Sequence, residues 1–467
     1  MSAETGTRTE TEIGTKTGTE IEALQRLAQA MPAHVRAVCQ TLATAGHQAV
    51  AVGGAVRDAL LGRSPGDWDV ATSAEPAQVI ALFKRTVPTG LAHGTVTVVT
   101  GRGEASHVEV TTFRGEGAYT DARRPDHVRF GVPLVEDLAR RDLRVNAIAY
   151  DPATAQLIDP YGGQRDLADR RLRAVGPTGD VYADAVARFT EDGLRVMRAV
   201  RFAAVLEFAL DPDTERGIAP ALPSLAKVSH ERVSDELRKL LAAREPSRGL
   251  AIAERTGILA LILPDVAAGL DAWGARDAPD ARDAPDARAA AVARWLARID
   301  AAPAGSRLGA LVAVLAAPAP ALRRLDRAAQ RRAETVLKRL KFSNDEATAA
   351  AVLVGVAAAP LAAGWTSAEL RRLLADVTRP HAAAAVALWG ADGAAALADR
   401  AAGILARREP LAIGELAVTG KDLMEALQLA PGPSIGQLLA ALFERVLVEP
   451  ALNARERLIE IARDLAV

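Results

Sequence analysis

The sequence predicts an α+β fold, in which an N-terminal mixed α/β head precedes an all-helical remainder. Four short β-branched runs occur within the first 175 residues, at positions 49–52, 95–99, 107–113 and 145–150. These runs alternate with helically spaced apolar residues and glycine-rich joints, which is typical of a mixed α/β domain. After about residue 184 the strand signal fades, and apolar spacing indicates helices as far as the C-terminus.

The composition is that of an ordinary globular protein, and it excludes several classes of function. A chain of 467 residues predicts about three domains of ~150 residues. The formal net charge is -1, so any nucleic-acid contact must come from local arginine clusters. The single cysteine, Cys39, excludes an internal disulfide and a cysteine-rich zinc site, and it favours a cytoplasmic location. No apolar run is long enough to predict a transmembrane helix or a membrane partner.

We divide the sequence into five predicted segments: a disordered tail at 1–20, the head at 21–175, a helical neck at 176–245, a helical body at 246–400 and a helical tail at 401–467. The first segment is rich in Thr, Glu and Gly and has almost no apolar residues. The six-residue unit ARDAPD occurs twice in tandem at 275–286, with a proline in each copy. This repeat predicts a surface loop within the body.

The densest group of chemically informative residues lies at 49–73. An apolar strand ends at Gly53 and Gly54, and a helix is expected to begin near Ala55, with Arg57 one turn inside it. Glycines at such a joint let the backbone approach a ligand closely. The start of the helix offers free N–H groups to a phosphate.

Two carboxylates follow this joint. Asp67 and Asp69 are one residue apart on a predicted strand, so they should share one face while Trp68 points into the packing. Adjacent carboxylates repel each other unless a cation neutralises them, and oxygen ligands suit Mg²⁺. An isolated D-x-D is typical of a solvated turn, but its position after the glycine joint favours a metal site. Glu109, on a later strand, is either a third carboxylate of this site or an ordinary strand residue.

These motifs resemble those of the nucleotidyltransferase family that contains the class II tRNA nucleotidyltransferases and the bacterial poly(A) polymerases. The matching segments occur in the family's order: 53-GGAVRDALLG-62, 67-DWD-69, 139-ARRDLRVNAIAYD-151, 191-EDGLRVMRAVRFA-203, 229-SHERVSDELRKLL-241 and the tail segment 411–447. The resemblance implies a palm-like nucleotidyltransferase head, a nucleotide-selecting neck and a tRNA-binding tail.

The resemblance also implies roles for individual residues of the head. Asp67 and Asp69 would be the catalytic pair that holds Mg²⁺. The triphosphate would be bound by three residues: Gly54, Arg57 and Arg141. Asp142 and Asn146 would position the ribose or a loop. The stretch 113–130 resembles the family's flexible loop, and His93 matches a turn before a strand, which we favour over a base or a metal ligand.

The E-D-x-x-R segment has a physical interpretation of its own. At about 100° per residue, Asp192 and Arg195 would lie about 60° apart on one helix face. A carboxylate acceptor beside a guanidinium donor fits the edge shared by cytosine and adenine, and it rejects uracil and guanine. The resemblance implies that this pair is a protein template for CTP and ATP, and that Arg198 and Arg201 contact the nucleotide. The helical spacing supports a nucleotide contact by Arg198 better than one by Arg201, because Arg201 would lie roughly opposite Asp192. The alternative is an exposed helix with pairs such as Glu191–Arg195.

In the tail, residues 432–436 (GPSIG) are expected to open a helix. Its N–H groups and positive end could hold a tRNA backbone phosphate, and the alternative is a plain capped turn.

The expected function is template-independent addition or repair of the 3′-terminal CCA of tRNA from CTP and ATP, with release of pyrophosphate. The expected partner is tRNA, and the protein would be a monomer or homodimer. A CC-only or A-only adding enzyme shares all these motifs and remains open. A poly(A) polymerase is disfavoured by the resemblance. Bacterial poly(A) polymerases carry a basic stretch after the first motif, where this sequence has 85-RTVPTGLAHGTV-96. A catalytically inactive tRNA-binding protein is disfavoured because both Asp67 and Asp69 are present.

Overall fold

The structure, a computed structural model, describes residues 18–103, 106–116, 128–277, 284–316, 324–357, 364–391 and 393–466. The chain divides into two compact units. The first unit comprises Met1–Ala199 and Phe208–Lys227, and the second comprises Val200–Glu207 and Val228–Val467.

All strands of the described residues belong to the first unit: β1 (Ala49–Val52), β2 (Asp69–Thr72), β3 (Thr86–Gly90), β4 (Thr95–Val99), β5 (His107–Thr112), β6 (Arg114–Glu116), β7 (Val128–Phe130), β8 (Ala149–Asp151), β9 (Gln156–Ile158), β10 (Arg171–Leu172) and β11 (Ala209–Leu210). The main sheet has the order β3-β4-β5-β2-β1-β8-β9. Two small sheets pair β6 with β7 and β10 with β11.

The centre of the main sheet determines where the functional residues lie. All four residues of β1 are buried, as expected for a strand covered on both faces. β1 is antiparallel to both β2 and β8, and β2 is parallel to β5. Val52, the last residue of β1, is paired with Asp69, the first residue of β2. The chain therefore leaves β1 at the same edge of the sheet where β2 begins.

The helices of the first unit, with the helix that carries the division between the units, are α1 (Gly18–Ala30), α2 (Ala33–Thr44), α3 (Gly54–Leu60), α4 (Pro76–Leu82), α5 (Leu134–Ala139), α6 (Gly163–Ala168), α7 (Val181–Glu191), α8 (Leu194–Leu206), α9 (Pro212–Arg216) and α10 (Ile218–Leu225). Pro32 separates α1 from α2 as the N-cap of the second helix. Cys39 lies on the buried side of α2 with 2% of its surface exposed, and burial, with a contribution from Asp151, raises the pKa of its thiol to about 12.

The helices of the second unit are α11 (His230–Leu241), α12 (Ser247–Arg255), α13 (Ile258–Ile262), α14 (Pro264–Asp277), α15 (Ala284–Ala301), α16 (Arg307–Val312), α17 (Arg327–Arg339), α18 (Asn344–Ala357), α19 (Ser367–Val377), α20 (Arg379–Ala391), α21 (Ala395–Ala406), α22 (Gly420–Leu427), α23 (Pro433–Val448) and α24 (Arg455–Ala466). The last three helices share an apolar core of their own, which includes Leu423, Leu442, Val446 and Leu458. Among the described residues, none of the helices combines the length and the apolar character that crossing a membrane requires.

Two expectations about local structure were wrong. The run 145–150 is not one strand, because a 3₁₀ turn covers Arg144–Asn146 and only Ala149–Asp151 is extended. The buried side chain of Asn146 makes polar contacts that require this turn. The neck is not wholly helical, since the two-residue strand β11 pairs with β10.

The repeat at 275–286, expected to be a surface loop, is described only at its ends, because residues 278–283 lie outside the described part of the chain. α14 runs through Asp277 and α15 begins at Ala284, so the first and last three residues of this segment are helical. Residues 18–20 of the expected disordered tail also belong to a helix, α1, and residues 1–17 lie outside the described part of the chain. The proposed boundaries of head, neck, body and tail stay predictions.

Two residues, Asp192 and Gly193, separate α7 from α8. A Cβ atom at Gly193 would lie 2.3 Å from the backbone nitrogen of Leu225 and 2.3 Å from the backbone carbon of Ser224. Because backbone atoms cannot give way as a flexible side chain can, no larger residue fits here. Gly193 therefore lets the end of α10 approach the break between the two helices.

We expect Gly193→Ala to lower the free energy of unfolding by about 1–3 kcal/mol, because the new methyl group overpacks the backbone of α10. Gly436→Ala in α23 is the matched control, since a Cβ there meets nothing within 4 Å. The control should be neutral or stabilising by up to ~1 kcal/mol, because alanine favours helix. Urea unfolding followed by circular dichroism measures both, and equal midpoints for the two variants would contradict the packing argument.

Candidate active site

The two expected metal-binding carboxylates flank a buried tryptophan. Asp67 is exposed and Asp69 is half-buried, while Trp68 between them is only 6% exposed. The alternation was predicted correctly, but the strand begins at Asp69, so Asp67 lies in the segment before β2 rather than on it. Both carboxylates thus lie near the C-terminal end of β1, where β2 begins.

Glu109 lies beside this pair. It precedes Val110, which pairs with Val70 in the parallel β2–β5 ladder, so its place in the register is next to Asp69. Burial raises the pKa of Asp69 to about 6; Arg141 opposes this shift, and the charges of Glu109 and Asp67 add to it. The site therefore carries more negative charge than its one nearby arginine neutralises.

These residues fit a divalent cation. A half-buried carboxylate with a raised pKa, close to two further carboxylates, is stabilised when a cation binds. Mg²⁺ commonly takes one or two protein carboxylates and completes its shell with water and substrate phosphates. Within the described ranges no three His, Cys, Asp or Glu side chains come together as a metal-binding group, so Glu109 does not complete a three-carboxylate site in this structure.

Asp69→Asn should stabilise the metal-free protein. The pKa of Asp69 rises from an ordinary 3.8 to about 6 on folding, so its ionised form opposes folding at neutral pH, and this cost fades as the pH falls. We expect a gain of about 1–3 kcal/mol in the free energy of unfolding at pH 7.5 with EDTA, and about half of that at pH 5.

Urea titrations at the two pH values measure this gain. Added Mg²⁺ should stabilise the wild type and leave the Asn variant nearly unchanged, because only the wild type keeps both carboxylates. An Asn variant that is less stable than the wild type in EDTA would contradict the charge argument.

A tight turn joins β1 to α3, and an arginine packs against it. Gly53 has φ +80°, a left-handed value that favours glycine, and a Cβ there would lie 3.0 Å from Nη1 of Arg141. Nη2 of Arg141 is 3.6 Å from Oδ2 of Asp137, and its buried Nε has no hydrogen-bond partner. Burial lowers the pKa of Arg141, although Asp137 opposes the shift. Arg141 is therefore a guanidinium with unused hydrogen-bonding capacity, next to the glycine turn.

A polar network connects the motifs at 53–62, 139–151 and 191–203. Arg57 donates from Nη1 to the side-chain oxygen of Asn146 at 2.6 Å, and Asn146 donates to Oδ1 of Asp142 at 2.9 Å. Oδ2 of Asp142 accepts from Nε of Arg198 at 2.7 Å. Burial alone would raise the pKa of Asp142, but Arg198 and the hydrogen bonds from Asn146 and the Leu143 N–H hold it well below its ordinary value.

Asp142→Ala should lower the free energy of unfolding by about 2–4 kcal/mol, because it removes an acceptor that both Arg198 and the buried Asn146 use. The control is Asp169→Ala, which removes an exposed carboxylate 3.7 Å from Arg165 and should cost less than ~0.5 kcal/mol. Denaturant titration at pH 7 compares the two, and a loss at Asp142 no larger than at Asp169 would contradict the network.

The geometry expected for Asp192 and Arg195 was wrong. They do not share one helix, because α7 ends at Glu191 and α8 begins at Leu194. Asp192 lies in the break with φ -134°, and its Oδ1 accepts the N–H of Leu194 at 3.0 Å. Arg195, in the first turn of α8, is 8% exposed. The break contains Gly193, which packs closely on the end of α10.

A cluster of two arginines and one glutamate spans this break. Oε2 of Glu191 accepts from Nη1 of Arg188 and from Nη1 of Arg195, each at 2.7 Å. Nη1 of Arg195 also donates to the backbone carbonyl of Arg188 at 3.1 Å. The Glu191–Arg195 pair, considered above as the alternative to a nucleotide site, is therefore present. We did not single out Arg188 from the sequence, although its spacing in R-x-x-E-x-x-x-R is a usable signal.

The two remaining arginines of the predicted site have different surroundings. Arg198 is part of the Asp142 network in the first unit. Arg201 belongs to the second unit, where its Nε donates to Glu236 and its guanidinium lies 3.9 Å from the ring centroid of Phe202. The guanidinium of Arg201 is thus held by Glu236 and by the ring of Phe202.

The structure also locates His93, the two ends of the predicted flexible loop and the glycine-rich segment of the tail. His93 ends a 3₁₀ turn before β4, as expected. The strands β6 and β7 pair at the two ends of the predicted flexible loop, while residues 117–127 lie outside the described part of the chain. In the tail, Gly432 caps α23, which begins at Pro433 as predicted.

The chain matches three protein-family models, in the order that the motifs predict. Residues 49–173 match the Poly A polymerase head domain, residues 207–270 the "Probable RNA and SrmB- binding site of polymerase A", and residues 325–462 the tRNA nucleotidyltransferase domain 2 model.

The whole chain is similar to proteins named CCA-adding enzyme. It is 35% identical over 441 residues to that of Lactiplantibacillus plantarum, which covers 93% of this chain and 98% of the relative. It is 36% identical over 431 residues to that of Geobacillus stearothermophilus, which covers 90% and 94%. The crystal structure of the Bacillus stearothermophilus CCA-adding enzyme in complex with CTP matches with a TM-score of 0.68 and 31% identity, over 93% of this chain and 98% of that one.

Proposed function

We propose a reaction for this chain from one premise, that it belongs to the family of CCA-adding enzymes, the class II tRNA nucleotidyltransferases. It is a template-independent enzyme that adds or repairs the 3′-terminal CCA of tRNA from CTP and ATP and releases pyrophosphate. The observation that carries the assignment of the active site is the meeting of Asp67, Asp69 and Arg141 at the glycine turn after β1.

Asp67 and Asp69 would hold the divalent cation on which this chemistry depends, and we propose Mg²⁺. When bound, the metal lowers the pKa of the attacking 3′-hydroxyl and stabilises the charge of the departing pyrophosphate. The protein's own contribution is to hold the two carboxylates adjacent to each other. The raised pKa of Asp69 implies that this arrangement is favourable only with a cation present.

The triphosphate would lie against the Gly53–Gly54 turn. Absence of a side chain at Gly54 allows a phosphate to approach the backbone, and the partly exposed guanidinium of Arg141 would donate to it. Arg57 is bonded to Asn146 and to Asp58, so it would support the turn from within α3 rather than reach out as a free group.

Asp192 and Arg195 would select the base. The carboxylate accepts from the exocyclic amino group and the guanidinium donates to the ring nitrogen, so cytosine and adenine fit while uracil and guanine do not. The two residues would act across the helix break rather than along one helix face. Arg198 would contact the nucleotide from the Asp142 network. The family motif implies a further nucleotide contact at Arg201, which pairs with Glu236.

The tRNA would be recognised mainly by shape and phosphate contact from the helical second unit. The start of α23, at Gly432 and Pro433, is the phosphate contact that we propose in the tail. We further propose a cytoplasmic location, from the single cysteine, and a monomer or homodimer as the active form.

The decisive test is extension of a tRNA that ends at its discriminator base, with Mg²⁺ and labelled CTP, ATP, UTP or GTP, singly and together. Three added residues that require both CTP and ATP are the expected result. Two cytidines alone, or one adenosine added only to a tRNA ending in CC, would assign a partial enzyme instead. A long adenosine ladder would assign a poly(A) polymerase, and tRNA binding without incorporation would assign a binding protein.

Asp67→Ala should abolish this extension while the dissociation constant for tRNA stays within a few-fold of wild type, because the exposed carboxylate serves the metal and not the RNA. Glu22→Ala, which removes an exposed carboxylate of the same unit, is the control and should extend tRNA normally. Gel-shift and extension assays on the same preparations separate the two properties, and retained transfer by the Asp67 variant would remove the metal assignment.

A further inference from the structure

We propose that Arg188 is a positioning residue for base selection, because it holds Arg195 and Glu191 in one arrangement across the break between α7 and α8. The inference rests on the proposed function, in which Arg195 reads the base. It concerns a residue that no motif of the sequence analysis contains.

Arg188 contacts the base-selecting region through two different groups. Its guanidinium donates from Nη1 to Oε2 of Glu191 at 2.7 Å, and its backbone carbonyl accepts from Nη1 of Arg195 at 3.1 Å. Its own Nε is directed to the carbonyl of Val175 at 3.4 Å. The side chains of Arg188 and Arg195 are each 9% exposed. Arg188 is therefore a buried link between the end of α7, the segment at Val175 and the first turn of α8.

The shared acceptor explains why this link affects orientation. Both guanidinium groups use the same oxygen of Glu191, so the position of that carboxylate depends on both arginines. Without the Arg188 guanidinium, the Glu191 carboxylate loses one of its two donors, so it fixes the orientation of the Arg195 guanidinium less firmly. Since Gly193 interrupts the helix, no continuous helical backbone fixes Arg195 relative to Glu191.

Base selection is sensitive to such rotation. A guanidinium that turns can place an N–H group against a carbonyl oxygen of uracil or guanine, which the fixed arrangement leaves unpaired. Discrimination that depends on unpaired buried groups is lost when those groups can move. The expected defect is therefore acceptance of wrong nucleotides, rather than loss of phosphate binding or of transfer itself.

The test is Arg188→Gln, measured as the ratio of kcat/KM for CTP over UTP on a tRNA that ends at the discriminator base, and for ATP over GTP on a tRNA that ends in CC. We expect both ratios to fall by about tenfold or more. Arg188→Lys keeps a cation opposite Glu191 and should lie closer to wild type than the Gln variant. A Gln variant with wild-type ratios would overturn the proposal.

Two further variants separate positioning from general loss of stability. Arg173→Gln removes a largely buried arginine of the same unit, which pairs with Asp166 and Asp211, and it should lower the melting temperature without changing either ratio. If Arg188→Gln does not fold, Glu191→Gln decides, because it weakens the shared acceptor and must lower the ratios in the same way. Unchanged ratios in that variant would overturn the proposal as well.

Arg195→Ala distinguishes this inference from the function on which it rests. If Arg195→Ala keeps the wild-type ratios, the proposed base selection is wrong, whatever Arg188 does. If Arg195→Ala lowers the ratios and Arg188→Gln does not, only the role of Arg188 is wrong.

Discussion

The buried carboxylate of Asp142 remains charged only because donors surround it on both oxygens. Arg198 occupies one oxygen, and the amide of Asn146 and the N–H of Leu143 occupy the other. These side-chain donors belong to different elements. Arg198 lies in α8, and Asn146 lies in the 3₁₀ turn, where its side-chain oxygen accepts a hydrogen bond from Arg57 of α3. Because an unpaired buried carboxylate is costly, these elements are constrained to one arrangement. The motifs at 53–62, 139–151 and 191–203 are distant in sequence, and the hydrogen bonds of Asp142 and Asn146 connect them.

The sheet adds a second constraint, which is electrostatic. Antiparallel pairing of β1 with β2 places the glycine turn beside Asp69, and parallel pairing of β2 with β5 adds Glu109 on the other side. The same register thus gives the site a glycine turn without side chains and an excess of negative charge. The carboxylates alone would repel a nucleoside triphosphate, whereas a bound cation makes the site complementary to its negative charge. Arg141, packed on Gly53, supplies the fixed positive charge.

Much of the head could be predicted from the sequence, and the failures have identifiable physical causes. The runs at 49–52 and 95–99 form strands because their residues are β-branched or small and are buried in the sheet. The run at 145–150 has a similar composition, but the buried contacts of Asn146 override the strand propensity with a turn. The helical spacing of E-D-G-L-R was equally misleading, since the break contains Gly193, whose close approach to α10 no local pattern records.

The site itself was only partly predictable for a related reason. Motif spacing identifies which residues carry chemistry, but not which ones hold them in place. Arg188 looks like any arginine three residues before a glutamate, and its importance appears only when Glu191 is seen to serve Arg195 as well. In the same way, Thr419 and Asp422 of the tail motif prove to form a reciprocal cap at the start of α22, which accounts for both residues by helix stability.

The burial of Cys39 makes the chain a convenient spectroscopic scaffold. The thiol is almost inaccessible, and with a pKa of about 12 it is overwhelmingly protonated at neutral pH, so alkylating reagents react with it slowly. Since the sequence contains no other cysteine, one introduced on the surface would be the sole reactive thiol of the native protein. A fluorophore or spin label could then be attached at a chosen point of the head without first removing a native residue.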